Sequence, residues 1–176
     1  IDLGQIIDGI DSVVATNHSG GTTMTLAANN ADAKYQFGSG DDVITTSDDG
    51  FATADAFSVD AGGGSDTLIL AAAADLSSTD ESSRYTSFET VRTGNSLDMD
   101  LTPWATALEL TGASSKSYTD MNATQAANVK VRGDETSGTF ALKTATGSAD
   151  VLTVTLGTGK TTAAATDLVT GVTVTG

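Results

Sequence analysis

The stretch GSGDDVITT, residues 38–46, decides the fold expected for this chain, because its glycines and aspartates pass straight into an apolar, β-branched run. A second stretch, GGGSDTLIL at residues 62–70, repeats that order. Glycine allows the backbone conformations that tight turns need, and a β-branched run after such a turn is typical of a strand. Two similar turn-and-strand segments in one chain indicate a repeated unit with a shared role.

Both segments match the nonapeptide Gly-Gly-x-Gly-x-Asp-x-apolar-x, the calcium-binding repeat of parallel β-rolls. Residues 37–45 and 61–69 align with it, and each lacks only the first glycine. Calcium takes six to eight oxygen ligands at about 2.3–2.6 Å, and glycines let a turn present several main-chain carbonyls to one ion. We therefore predict calcium-site residues at Gly38, Gly40, Asp42, Gly62, Gly64 and Asp66, with a plain surface turn as the alternative for each copy.

Further ligands are expected if the two copies stack on successive coils and the surplus residues between them bulge out as a loop. Asp48, Asp49 and Asp60 are then nearby candidates for further ligands. A third, poorer copy, ATGSADVLTVTL at residues 145–156, has Asp150 in the aspartate position but Ser148 in place of the inner glycine. Asp150 is a further metal candidate, and an ordinary strand-entry turn is its alternative.

The charge of the chain points to cations as partners. It has 23 acidic and 8 basic residues and a formal net charge of -15, so nucleic acid and anionic membranes are poor partners. Ten carboxylates and no Lys or Arg lie between residues 35 and 83. The chain has no cysteine, which excludes disulfides and cysteine-ligated metals, and leaves a bound metal as the substitute for covalent cross-links.

Short strand-like runs separated by Gly, Asn, Asp and Ser clusters occur along the whole chain. They lie at residues 12–16, 23–27, 33–37, 43–46, 56–60, 67–70, 89–93, 107–110, 128–132, 139–143, 151–156 and 171–176. Helical turns are expected only within residues 71–83 and 119–129. The pattern predicts an all-β solenoid, with a β-sandwich as the alternative. We expect one solenoid segment of a longer protein over residues 1–176, with a possible division into residues 1–93 and 94–176.

Catalysis is not expected. His18 is the only histidine, and GTGKTT at residues 157–162 lacks the first glycine of a phosphate-binding loop. Carboxylate pairs such as Asp98 and Asp100, or Asp41 and Asp42, have the residue types of the acid and base of a glycoside hydrolase. Acidic pairs are frequent in this chain for compositional reasons, so these pairs do not indicate an active site. Only 5% of residues are aromatic, which leaves few rings to stack on a sugar.

The order GSGDDVIT, AGGGSDTLIL, SFETVRT, WATALELTGA and GSADVLTVTL, in a Cys-free acidic chain, resembles the RTX-type surface-layer (S-layer) proteins of Gram-negative bacteria, of the Caulobacter kind. This resemblance covers about residues 37–156. It implies a right-handed parallel β-helix or β-roll stabilised by Ca²⁺, secretion by a type I system, and assembly with copies of itself into an extracellular lattice on the cell surface.

Carried over by position, the glycines and aspartates of the first two copies look like calcium-site residues, and Asp150 is a weaker match. The resemblance implies contact with cell-surface polysaccharide only through another domain. The competing class of function is an RTX calcium-binding module attached to a secreted adhesin or hydrolase.

Overall fold

The computed structural model describes residues 1–6, 9–26, 32–46, 57–112, 115–133, 137–144, 151–156 and 172–175. The chain divides into two compact units, Ile1–Thr90 and Val91–Gly176. Within each unit, short strands from successive coils stack side by side, so that each coil gives one strand to each of two sheets. Each unit is therefore a β-solenoid.

The first unit contains eight strands. They are β1 (Asp2–Gln5), β2 (Ser12–Val14), β3 (Thr23–Thr25), β4 (Lys34–Gln36), β5 (Val43–Thr45), β6 (Ser58–Asp60), β7 (Thr67–Leu70) and β8 (Tyr85–Thr86). One sheet has the order β1-β3-β5-β7 and the other β2-β4-β6-β8. A 3-10 turn at Ala73–Leu76 and the single-turn helix α1 (Thr79–Ser82) connect β7 to β8.

The second unit repeats the arrangement, beginning with a strand that starts at the unit boundary. Its strands are β9 (Thr90–Thr93), β10 (Leu97–Asp98), β11 (Ala107–Leu110), β12 (Lys116–Met121), β13 (Val129–Val131), β14 (Gly138–Leu142), β15 (Val154–Leu156) and β16 (Val172–Thr175). Their sheet orders are β9-β11-β13-β15 and β10-β12-β14-β16. A 3-10 turn at Met99–Leu101 and helix α2 (Ala123–Ala126) lie on connections.

The core of the first unit is built by inward residues that stack from coil to coil. Met24 is in register with Ile44, and Ile44 with Leu68, and all three are fully buried. On the other side, Tyr35, Phe57 and Tyr85 make edge-to-face contacts at centroid distances of 5.7 and 6.0 Å. In β3, β4, β5 and β6 the central residue is buried and its two neighbours are more exposed, so alternation gives one face to the core and the other to solvent.

The core of the second unit follows the same rule. Leu108 and Leu110 are in register with Val129 and Val131, and Tyr118 stacks on Phe140 at 5.3 Å. These side chains are buried. Similar residues on neighbouring coils let parallel strands lie in register without gaps, which is the packing of a solenoid.

The expected fold class is confirmed. The strand pairings between described residues are parallel, for example β3 with β5 and β12 with β14, whereas a β-sandwich requires antiparallel sheets. No helix among the described residues has the length and apolar character needed to cross a membrane.

Candidate metal centre

The two glycine-aspartate turns lie on adjacent coils of the first unit, one directly on the other. Val43 pairs with Thr67 and Ile44 with Leu68, so the strands after the turns are in register. The amide of Gly63 donates to the carbonyl of Gly38 at 2.8 Å. The stacking expected from the sequence is therefore present, and residues 47–56, which would form the bulging loop, lie outside the described residues.

The glycines are required by this close stacking. A Cβ on Gly40 would lie 2.3 Å from the backbone carbon of Gly20, and one on Gly64 would lie 2.6 Å from the carbonyl oxygen of Gly40. Gly62 also has a φ of +85°, which disfavours any residue with a side chain. The glycines thus have a packing role that holds whether or not a metal is bound.

The aspartates form a column that we call the carboxylate ladder: Asp42, Asp66 and Glu89. Each carboxylate accepts a hydrogen bond from the backbone one coil earlier. Asp42 Oδ1 accepts from the amide of Thr22 at 2.5 Å, Asp66 Oδ1 from the amide of Asp42 at 2.7 Å, and Glu89 Oε2 from the amide of Asp66 at 2.8 Å. The ladder therefore links four successive coils by charge-assisted hydrogen bonds.

The ladder also contains uncompensated negative charge. Asp42 and Asp66 are 1% and 0% exposed, and the second carboxylate oxygen of each has no hydrogen-bond partner among the described residues. Burial, together with the negative charges of Asp42, Glu89 and Asp41, raises the pKa of Asp66 to about 6 against the opposing effect of the hydrogen bond from the Asp42 amide. A buried carboxylate oxygen without a donor is costly, which makes it a candidate ligand for a cation.

Two more carboxylates lie on the chain segments that form the stacked turns. Asp41 Oδ1 accepts from the amide of Ser65 at 2.9 Å, and Asp60 Oδ1 accepts from the amide of Gly62 at 3.2 Å. We call the set of five, Asp41, Asp42, Asp60, Asp66 and Glu89, the acid corner. None of the ion pairs found between described residues involves its four aspartates.

The donor chemistry of the acid corner fits calcium, which prefers carboxylate and carbonyl oxygens. The residues that would hold the ion are Asp42 and Asp66, through their unpartnered oxygens, together with main-chain carbonyls of the stacked turns. Across the described parts of the chain, no three His, Asp or Glu side chains converge as a metal-binding group. A site here therefore depends on carbonyl oxygens to complete its ligands.

Other sequence candidates fall elsewhere. Asp48, Asp49 and Asp150 lie outside the described residues, as does the segment 157–162. Asp100 is bound by Lys143 at 2.5 Å and Asp98 accepts from the amide of Asp100, so this carboxylate pair is occupied by local contacts.

Glu89 is the ladder member that the motif did not reveal. It belongs to SFET, which carries no glycine, but it follows Asp66 by 23 positions, close to the 24 that separate Asp66 from Asp42. That coil-length spacing is the signal that identifies it.

No protein-family model, curated protein or solved structure matches this chain.

Proposed function

We propose that this chain is a structural cell-surface protein: a calcium-stabilised segment of an RTX-type S-layer protein that assembles into an extracellular lattice. The observation that carries the proposal is the carboxylate ladder, in which two buried aspartates each keep one unpartnered oxygen beside a stack of glycine turns. The resemblance of the two turns to the RTX nonapeptide supports calcium as the ion. The fold supports a structural role, because a solenoid offers long regular faces for contacts.

The mechanism is a coupling between ion binding and coil stacking. Without a cation, Asp42 and Asp66 repel each other in a buried column, which disfavours the stacked coils. An ion shared between them replaces that repulsion with attraction, so that its binding free energy adds to folding. Weak extracellular sites bind calcium at about 0.1–1 mM, which couples folding of the segment to export into a calcium-rich medium.

Thermal melting of the whole chain tests the calcium site. We expect 5 mM CaCl₂ to raise Tm over a chelator control by several degrees, since ligand at about 5–50 times its Kd adds about 1–2 kcal/mol to stability. The same concentration of MgCl₂ is the ion control, because magnesium demands a stricter octahedral geometry. The expected calcium increment falls by more than half in Asp42→Asn and in Asp66→Asn.

Asp100→Asn is the matched control variant, since it removes a carboxylate that Lys143 already binds. It is expected to keep the full calcium increment. An increment that is equal in wild type, Asp66→Asn and Asp100→Asn, or equal for both ions, would contradict the assignment of the ladder as the site. Electron microscopy of calcium-treated protein then tests lattice formation separately.

A further inference from the structure

Charge is divided unequally between the two units. Residues 1–90 contain 15 acidic and 2 basic residues, whereas residues 91–176 contain 8 and 6. The first unit therefore carries a formal charge of -13 and the second only -2, which together give the -15 of the chain. The second unit is therefore close to neutral, so a local group of basic residues on it presents positive charge to the strongly negative first unit of another copy.

Three of the six basic residues of the second unit lie together on or beside one sheet. Arg92 on β9, Lys130 on β13 and Arg132 just after it surround Glu109 on β11, and we call these three cations the basic cluster. Arg92 Nε lies 2.8 Å from Glu109 Oε2, Arg132 Nη1 lies 3.1 Å from the same oxygen, and Lys130 Nζ lies 3.6 Å from Oε1. Three of the eight basic residues of the chain thus share one carboxylate.

One carboxylate does not satisfy this cluster. The Glu109 side chain is 6% exposed, whereas those of Lys130 and Arg132 are 39% and 31% exposed, so the cations cover the glutamate and face solvent. The site has a net charge of +2 and donor groups beyond those that Glu109 uses. Glu109 shows that the cluster recognises a carboxylate, because the N–H groups of an arginine guanidinium match the geometry of the two carboxylate oxygens.

We propose that the basic cluster is a docking surface for the acid corner of a second copy of this chain, giving a head-to-tail contact between copies. The acid corner has the complementary charge, and Asp41 within it is exposed. A contact between two different surfaces leaves one of each free on every pair, so it propagates along a row of molecules. This deepens the proposed function and rests on it in one respect, because lattice assembly makes a second copy the partner.

The test measures self-association of the full chain by sedimentation velocity, at low salt and in 5 mM CaCl₂, the condition in which the proposed lattice forms. One bound Ca²⁺ still leaves the five carboxylates of the acid corner with a net charge of about -3, so the corner keeps the sign that the basic cluster needs. Lys130→Gln/Arg132→Gln removes two charges from the cluster and keeps the Arg92 pair with Glu109. Lys116→Gln/Lys143→Gln removes two charges elsewhere and is the matched control. We expect about tenfold weaker association for the cluster variant only, and loss of association of the wild type at 0.5 M NaCl.

Complementation tests the head-to-tail geometry. Lys130→Glu/Arg132→Glu and Asp41→Lys/Asp60→Lys should each be monomeric alone, whereas an equimolar mixture keeps one intact pair of surfaces and should form dimers. Equal association of the cluster and control variants, or a monomeric wild type, would overturn the proposal. A monomeric wild type that binds an acidic polysaccharide such as polygalacturonate through the cluster would replace the second copy with a glycan.

These outcomes separate the inference from the proposed function. Calcium-dependent melting with no effect of the cluster variants leaves the calcium site standing and overturns this contact alone. Cluster-dependent association without any calcium-dependent melting supports this contact and removes the calcium-site proposal.

Discussion

At the scale of single residues, neighbouring glycines of the second turn have different roles. Gly62 has a φ of +85° and a Cβ there would lie 2.1 Å from the carbonyl oxygen of Gly38, whereas a Cβ on Gly63 would meet nothing within 4 Å. We expect Gly62→Ala to lower the free energy of unfolding by about 2 kcal/mol or more, from backbone strain and lost stacking. Gly63→Ala, the matched control, should change it by less than about 1 kcal/mol.

Urea denaturation in chelator measures both variants. Equal loss of stability in the two would mean that the turn tolerates or rejects side chains uniformly, against the stacking described here. Because chelator removes calcium, the experiment isolates the packing role of Gly62 from any role in metal binding.

The raised pKa of Asp66 predicts a dependence of stability on pH. Its pKa is about 6 in the folded chain against an ordinary 3.8, so the folded state holds the proton more tightly. The contribution of Asp66 to the free energy of unfolding is therefore greatest below about pH 4, decreases as the pH rises to about 6, and is constant above that pH. In chelator, wild type should gain stability relative to Asp66→Asn as pH is lowered from 7 to 4.

Thermal melting of both proteins across that range provides the comparison, and the difference between them removes the effect of other carboxylates. The assignment would be contradicted if the stability of wild type minus that of Asp66→Asn stayed constant across this range, or increased as the pH rose. Added calcium should flatten the wild-type curve, because an ion favours the ionised carboxylate.

Sequence reasoning found Gly38, Gly40, Asp42, Gly62, Gly64 and Asp66 because each lies in a motif with a distinct physical requirement. The structure adds the reason for the glycines, which is coil-to-coil contact, and this reason was invisible in a single turn. Glu89 was missed because its coil has no glycine motif. Only the register of the coils brings it onto the ladder.

At the scale of elements, Glu109 shows how a solenoid uses charge across coils. It lies on β11, in register with Lys130 on β13, and its two carboxylate oxygens form ion pairs with three cations. We expect Glu109→Gln to lower the free energy of unfolding by about 1–3 kcal/mol, because three partly exposed positive charges would lose the carboxylate that they share. Urea denaturation measures the loss.

Asp100→Asn is the control for this prediction, since it breaks an exposed pair with Lys143 and should cost about 1 kcal/mol or less. A loss for Glu109→Gln no larger than that of the control would mean that the cluster contributes little to holding the coils together. It would leave the docking role of the three cations to be judged by association alone.

The twelve runs expected as strands all contain strands, and β7 and β11 have the expected bounds. Four strands were not expected: β1, β8, β10 and β12. β8 and β10 have two residues each, too short for any periodicity to register. β12 contains Asp120 at a φ of 54° and a register shift before Met121. Its sequence SYTDM lacks the alternation of apolar and polar residues that predicts a strand.

Residues 71–83 contain a 3-10 turn and α1, and residues 119–129 contain α2, as expected, although residues 119–121 belong to β12. The 3-10 turn at Met99–Leu101 was not expected. In α2, Asn122 accepts from the amide of Gln125, and the Gln125 side chain accepts from the amide of Asn122. Gln125 is buried and also donates to the carbonyl of Thr102. The sequence signal of a cap was therefore available, but the use of Gln125 to join two connections required the coils in register.

At the scale of the whole molecule, composition anticipated a slim β architecture with a large negative charge, but not how that charge is distributed over coils. Acidic residues in the first unit gather at one corner because the solenoid brings equivalent turn positions of successive coils together. A sequence read linearly shows a run of acidic residues. The coil register brings Asp42 and Asp66 of that run into one column with Glu89, where their charges lie closer together than they do along the chain.

This distribution predicts that calcium acts on the two units unequally. The acid corner lies within Ile1–Thr90, so calcium should slow amide hydrogen exchange in β3, β5 and β7 by about tenfold or more, and in β11 and β13 by much less. Exchange measured by mass spectrometry on the whole chain, in calcium and in chelator, compares the units in one sample. Magnesium at equal concentration controls for general screening, which acts on all exposed charges.

Equal protection of both units by calcium would indicate either that the chain opens as one cooperative body or that ions bind outside the acid corner. Asp66→Asn separates these two cases. If the ion binds at the ladder of a cooperative chain, the variant loses protection in every strand together, whereas ions bound elsewhere leave its protection unchanged. Unequal protection that Asp66→Asn abolishes in β5 and β7 would place the calcium-dependent step of folding at the ladder, where the coils carry the charge they cannot balance themselves.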